Sequence, residues 1–261
     1  MNYGGPIGSP AANALLAESA AQKADELDVD LLELRTRHDV GGPLIVVDRK
    51  ITVLLELPDD VETLWSEQFS SKLRNQIRRP QKAGMKVRFG PQELDAFYRV
   101  FSRSMRDLGT PVLPKTLFTA IRERFPESAV FATVYSEDDP VAAGCGFRWR
   151  DEFEITWAGF LREYGRKAPN MLLYWALMER MIGERATRFN FGRCTPGSGT
   201  HRFKKQWGGA DTPLPWLQRP RDGGSSPDYD RPLLRTASAL WKKLPLAAAT
   251  RIGPFFARRL P

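Results

Sequence analysis

Two adjacent lysines, Lys204 and Lys205, follow a glycine-rich turn in the stretch 187–209, Thr-Arg-Phe-Asn-Phe-Gly-Arg-Cys-Thr-Pro-Gly-Ser-Gly-Thr-His-Arg-Phe-Lys-Lys-Gln-Trp-Gly-Gly. Arg188-Phe-Asn-Phe-Gly192 alternates apolar and polar residues as a short strand does. Pro196, Gly197 and Gly199 then stop regular structure and permit a close backbone approach to a ligand. Thr200 is placed to cap a short helix that carries Arg202, Lys204 and Lys205, so that backbone N–H groups of Gly197, Ser198 and Gly199 and side-chain cations converge. Such a corner can stabilise the oxyanion formed when an amine attacks an ester or thioester. One fixed donor in a water-poor site is worth roughly 3–4 kcal/mol to that transition state. The competing reading is a surface strand-turn-helix with solvated lysines.

Two further constellations carry charge without an obvious acid or base. In Ser70-Ser-Lys-Leu-Arg-Asn-Gln-Ile-Arg-Arg-Pro-Gln-Lys-Ala-Gly84 the apolar Phe69, Leu73 and Ile77 recur every four residues. That spacing predicts a helix with one dense cationic face, Arg74 and Arg78 on one flank and Lys72 and Arg79 on the other, suited to phosphate groups of RNA or a nucleotide. Pro80 is expected to kink or end this helix. The second constellation, Arg162-Glu-Tyr-Gly-Arg-Lys-Ala-Pro-Asn170, puts a proline at the predicted first position of a helix. There, free amides beside Arg166 and Lys167 suit a pyrophosphate, with Tyr164 and Asn170 as further contacts or as packing and local capping. This loop half-resembles the Arg/Gln-x-x-Gly-x-Gly/Ala loop that binds acyl-coenzyme A in GNAT acyltransferases, and departs from it at Lys167. Glu154, on a predicted strand, is the remaining candidate base.

These groups sit in a chain of 261 residues with formal charge +8 and pI near 9.6, which implies anionic company without choosing among phosphates, RNA, acidic glycans and lipid. Neither a run of about eighteen apolar residues nor a secretion signal is present, so the expected compartment is the cytoplasm. Cys145 and Cys194 lack metal-ligand spacing and are expected to be reduced, buried thiols. No Ser-His-Asp order, His-Glu-x-x-His, Walker loop or Asp-x-Asp pair occurs, which sets aside the commonest hydrolases, zinc peptidases and phosphate-transfer enzymes.

The elements that must hold the site are legible as patterns. A helix is predicted over 11–27 and strands over 29–34 and 51–57, a set too small for a self-sufficient domain and read as lacking earlier elements. Helices follow at about 60–79, 91–108 and 114–125, then strands near 128–136, 140–149 and 152–159 and a helix at 169–185. A strand at 187–192, a short helix at 200–207 and a strand at 212–218 complete the body. Residues 219–232 are a linker by composition. Residues 231–261 hold seven arginines and lysines, no acid, and apolar residues such as Trp241, Ile252, Phe255 and Phe256. They suit either an interfacial segment on anionic lipid or packing that closes the incomplete first domain.

Taken together, Tyr3-Gly-Gly-Pro6, Lys72-x-Arg-Asn-x-Ile-Arg78 with Lys82-x-Gly84, Met105-Arg-Asp-Leu-Gly-Thr-Pro111, Asn170-Met-Leu-Leu-Tyr-Trp175, Phe189-x-Phe-Gly-Arg193 and Gly199-Thr-x-x-Phe-Lys-Lys-x-Trp-Gly208 resemble the FemAB-like proteins. The similarity points in particular to the branch associated with exosortase and PEP-CTERM exopolysaccharide systems, and spans about residues 1–218. It implies an α/β (α+β) GNAT-like acyl-coenzyme A N-acyltransferase fold: a partial N-terminal GNAT-like domain over 1–57 and a complete one over 58–218, followed by the linker 219–232 and the basic amphipathic tail 233–261. It also implies transfer of an acyl or aminoacyl group from an activated donor, acyl-coenzyme A or aminoacyl-tRNA, to an amine of a cell-envelope, glycan or peptide precursor. The amide would form by direct attack, with no metal and no tightly bound cofactor. Phe203 and Lys204 match the family's Phe-Lys motif, with Lys205 as the neighbouring alternative. Arg193, Gly197, Ser198, Gly199, Thr200, Tyr164, Arg166, Asn170, Lys72, Arg74, Asn75 and Arg78 are the donor- and substrate-binding candidates. An acyl-coenzyme A-dependent N-acyltransferase and a non-catalytic scaffold for anionic glycan intermediates are the alternatives.

Overall fold

The computed structural model describes residues 3–221 and 232–258. The chain forms two units, each of two segments: residues 1–54 with 191–229, and residues 55–190 with 230–261. The first unit therefore takes in the chain well beyond residue 57, a non-local pairing that no window of sequence displays.

In the first unit, helix α1 (Pro10–Glu26) starts at Ser9, whose side chain accepts from the Ala12 N–H, with proline at its first position. Ala17, Ala21 and Ala24 form its buried stripe, small enough for a close approach to Leu44 and Leu217. Strands β1 (Leu31–Arg35) and β2 (Ile45–Glu56) each run antiparallel to β8 (Ala210–Pro220), giving the order β1-β8-β2. Gly4 adds an isolated antiparallel bridge to Arg35.

The second unit opens with a short helical segment, α2 (Val61–Thr63) running into a π-helical turn over Leu64–Gln68. Phe69 is extended, and Ser70 then caps α3 (Ser71–Lys82). The single helix predicted over 60–79 is thus two pieces. Pro80 does not stop α3, which runs two residues further; the ring lies in its last turn, is buried, and its carbonyl accepts from the Met85 N–H. Strand β3 (Lys86–Phe89) is an addition to the sequence reading, its four residues being too few for a clear alternation.

Helices α4 (Leu94–Leu108) and α5 (Lys115–Arg124) and strands β4 (Ala129–Ser136), β5 (Asp139–Trp149) and β6 (Glu152–Phe160) fall where the patterns place them. β3, β4, β5 and β6 pair antiparallel in that order. A bulge lies opposite Cys145 and Gly146, where β6 carries an extra residue, Thr156. Gly146 is required there, because a Cβ would meet the Glu154 carbonyl oxygen at 2.3 Å. Phe97, Phe101, Phe118 and Phe131 interlock by edge and stacked contacts in the core beneath. Helix α6 (Pro169–Gly183) is apolar almost all round and buried. The next strand, β7 (Arg188–Cys194), runs parallel to β6 and registers with it only from Arg188 to Asn190.

The tail is helical, α8 (Pro232–Trp241) and α9 (Leu246–Ala257), and belongs to the second unit rather than closing the first. Ala249 is fully buried in the core cluster, and Gly253 packs so tightly that a Cβ would lie 2.7 Å from Val112 backbone atoms. Arg106 donates to the Leu244 carbonyl at 3.0 Å. Most of the predicted linker, residues 222–231, lies outside the described residues.

Candidate functional site

In the first unit the chemistry gathers where β7 ends and α7 (Gly199–Lys205) begins. Gly192 (φ +71°) and Gly197 (φ +75°) occupy the left-handed region, so glycine is needed at both bends. Ser198, not Thr200, caps α7: its hydroxyl accepts from the His201 N–H at 3.1 Å, which starts the helix one residue earlier than the sequence pattern indicates. Trp207 is fully buried and anchors the far end, contacted by the rings of Phe191 and Phe203.

The two lysines part company. Lys204 is 4% exposed, and its ammonium donates to the carbonyls of Gly192 at 2.5 Å and Arg193 at 2.9 Å. Those carbonyls offset part of the cost of burying the charge. Lys205 lies at the surface, donates to the Gly209 carbonyl at 2.8 Å and sits 3.3 Å from an Asp211 carboxylate oxygen. It ties the end of α7 to the start of β8.

Charges of both signs surround the corner, and Cys194 feels Lys204, Asp211 and Lys50 together. Lys50 donates to the Thr195 hydroxyl at 2.7 Å, and burial together with the Arg193 charge lowers its pKa. Arg193, half-buried over the Trp216 ring, is also lowered, first by burial and then by Arg35. Burial pushes the Cys194 thiol up, while the Lys204 and Lys50 charges pull the other way. Both cysteines are free and buried, as their spacing implies.

His201 has a second role that its spacing hides. Its Nδ1 accepts from the Gly197 N–H at 3.0 Å, so Nε2 carries the proton and donates to the Asp211 carboxylate at 3.0 Å. This contact, first among its causes, holds the Asp211 pKa below the usual carboxylate value. His201 thereby fixes the glycine turn to β8. A pairing ten residues apart through a turn leaves no motif to find.

In the second unit a 3₁₀ turn over Arg162–Lys167 leads through Ala168, at φ +54°, into Pro169, the first residue of α6. No side chain caps this helix, and Asn170 is half-buried in its first turn. Arg162 donates to the Asp107 carbonyl and Glu163 pairs with Arg103, both at 2.8 Å, so the turn is pinned to α4. Lys167 lies over the Tyr164 ring, and Arg79 donates to the Arg166 carbonyl at 3.3 Å. Arg166, Lys167 and Arg79 thus stand around the start of a fifteen-residue helix, a setting that favours an anion.

The basic face of α3 is less available than its sequence implies. One Arg74 nitrogen donates to the carbonyls of Trp65, Ser66 and Phe69, closing the break between the two helical pieces. Arg78 lies over the Trp65 ring. Lys72 and Asn75 are exposed. Of the predicted residues, the structure gathers Arg193, Gly197, Ser198, Gly199, Thr200, Phe203 and Lys204 at one corner of the first unit. Tyr164, Arg166 and Asn170 lie at the α6 start of the second, linked to α3 through Arg79.

Residues 67–205 match the model of the acetyltransferase (GNAT) domain family. Among solved structures, FemX aligns with TM-score 0.62 and 12% identity over 80% of this chain and 77% of its own. The C-terminal domain assigned to a lysylphosphatidylglycerol synthetase of Agrobacterium fabrum gives 0.64 and 14% over 95% and 81%. L-PGS from Bacillus licheniformis gives 0.60 and 16% over 92% and 80%. At these identities the likeness is one of fold. No curated protein matches the chain.

Proposed function

The chain belongs to the acetyltransferase (GNAT) domain family, and from that premise we propose that it transfers an acyl or aminoacyl group from an activated donor to an amine of a cell-envelope or exopolysaccharide precursor. The observation that carries the reading is the buried Lys204 ammonium, held on the Gly192 and Arg193 carbonyls beside Lys50 and Arg193. A fixed positive charge in a poorly solvated corner acts on a developing oxyanion far more strongly than one in water. Phe203 and Trp207 hold α7 so that this charge does not reorganise during the reaction.

The amine nitrogen attacks the acyl carbon, the carbonyl electrons move to oxygen, and collapse expels the thiol of coenzyme A or the ribose hydroxyl of tRNA. The amine proton leaves with that group or to water. Proximity of donor and acceptor supplies much of the rate, and within the second unit the α6 start, with Arg166 and Lys167, suits phosphate groups. The fold shared with FemX and L-PGS supports an aminoacyl donor; the family model supports acyl-coenzyme A.

We place the acceptor at a lipid surface, the setting of exopolysaccharide assembly in the PEP-CTERM branch that the sequence resembles. No helix among the described residues is long and apolar enough to cross a membrane. Phe255 is 54% exposed, and Ile252, Phe256 and Leu240 are exposed as well, among Lys242, Lys243, Arg251 and Arg258. This combination suits shallow insertion beside anionic headgroups.

Acetyl-coenzyme A and aminoacyl-tRNA, each offered with hydroxylamine as a small amine acceptor, test the reading through hydroxamate formed above the uncatalysed background. The proposal expects turnover with one of the two. A protein that consumes neither is a scaffold, and the reading fails.

A further inference from the structure

Lys50 and Thr195, which no sequence motif singles out, meet Arg193 at one place in the first unit. Across the β2–β8 ladder Val47 faces Trp216 and Lys50 faces Leu214, so β2 spends one residue more than β8 between those pairs and bulges there. Leu214 and Trp216 are two residues apart and share a face of β8. Lys50 therefore rises on the face that carries Trp216, over whose ring the Arg193 guanidinium lies at 5.0 Å. The Lys50 ammonium reaches the Thr195 hydroxyl at 2.7 Å, two residues beyond Arg193 on the chain.

The protein does not neutralise these two cations. Lys50 makes one hydrogen bond, to a hydroxyl, and the charges that act on it are those of Arg193 and Arg49, apart from the Cys194 thiol, which burial keeps protonated. Glu33 is the carboxylate that acts on Arg193, and its oxygens are engaged by Arg35 at 2.7 Å and by the Gln218 amide at 2.6 Å. Among the described residues the Arg193 guanidinium stacks on Trp216 and makes no hydrogen bond. Holding two like charges half-buried and close together costs free energy that an anion placed between them recovers.

The donors left over define the ligand. The Lys50 ammonium keeps N–H groups beyond the one given to Thr195, the Arg193 fork is unspent, and the Thr195 hydroxyl, which accepts from Lys50, retains its own proton to donate. Ammonium, guanidinium and hydroxyl come from β2, from β7 and from the turn after it. Two positive charges match the charge of about −2 on a phosphate monoester, whereas a carboxylate would leave one cation unmatched. We infer that Lys50, Arg193 and Thr195 form a binding site for a phosphate monoester group. The Arg193 carbonyl also accepts from Lys204, which joins this site to the proposed reaction corner within the same unit. The assignment of the phosphate to a substrate rests on the transfer reaction proposed above; its binding does not.

Titration of the isotope-labelled full chain with inorganic phosphate, above neutral pH and followed through the backbone amide signals of Arg193 and Thr195, tests the site directly. The expected result is a saturable shift at both residues, with affinity about tenfold lower in Lys50→Met and in Arg193→Met and a few-fold lower in Thr195→Val. Acetate at matched ionic strength should bind about tenfold more weakly than phosphate. Circular dichroism establishes that each variant is folded; should Arg193→Met not fold, Lys50→Met and Thr195→Val carry the test. No shift at Arg193 and Thr195, wild-type affinity in folded Lys50→Met, or equal affinity for acetate and phosphate overturns the inference. Glucosamine 6-phosphate and adenosine 3′-phosphate, titrated in the same way, separate a sugar source from a nucleotide source. If neither binds more tightly than inorganic phosphate, the assignment to a substrate falls. Hydroxamate formation without phosphate binding would reject this site and leave the transfer reaction standing. Phosphate binding without any hydroxamate would do the reverse.

Discussion

Helices α3 and α7 carry nearly the same signature, cations set between apolar residues four apart, and the structure uses them in opposite ways. In α3 the charge is spent locally: Arg74 satisfies three carbonyls at a helix break, Arg78 covers a tryptophan, and Lys72 is solvated. In α7 one lysine is drawn inside and aimed at the carbonyls of a glycine bend, while its neighbour stays at the surface with Asp211. Cation density therefore does not identify a reactive charge. What sets α7 apart is the glycine bend, whose Gly192 and Arg193 carbonyls receive the buried Lys204 ammonium.

That contrast breaks if the two helices respond alike to charge. Lys204→Glu should destabilise the protein most, by about 3–5 kcal/mol, because a carboxylate would face two carbonyl oxygens in a buried place; urea unfolding measures it, and a loss below 1 kcal/mol would mean that the corner is open. Arg74→Met should cost about 1–3 kcal/mol by leaving helix-break carbonyls unsatisfied, while the transfer rate of the folded fraction stays as in the wild type. Arg166→Gln should weaken phosphate binding at the α6 start several-fold, about 1 kcal/mol, as measured by titration with a phosphate ester. Lys72→Glu should shift stability by no more than about 0.5 kcal/mol.

A pH prediction sharpens the α7 side. Asp211 has a folded pKa below its unfolded one, through His201 and Lys205. Its contribution to stability is present above the unfolded carboxylate value of about 3.9 and is lost as pH falls through the lower folded value. In Asp211→Asn, thermal unfolding measured from pH 6 down to pH 2.5 should show a shallower decline than the wild type.

Much of this was legible in the chain. The strands β4, β5 and β6, helix α6 with its leading proline, and the strand-turn-helix around Lys204 all follow from periodicity and turn residues. The residues that decide the site's chemistry were not legible, since their partners are remote in sequence or at irregular spacing. Ser198 caps α7 because its backbone is extended and its hydroxyl reaches the N–H three residues on, at His201, while Thr200 already lies inside the helix. His201 meets Asp211 only after a turn, and Arg35 meets Arg193 only through Trp216. Pro80 misleads for another reason: its ring is buried, and that burial offsets part of the hydrogen bond that its missing N–H withholds from the Gln76 carbonyl.

The decisive measurement is single-turnover hydroxamate formation at saturating donor for the wild type and for Lys204→Met, with donor affinity and folding checked in the same preparations. A rate at least 100-fold lower in the variant, at unchanged donor affinity, is what a buried charge acting on the oxyanion predicts. Equal rates would contradict it.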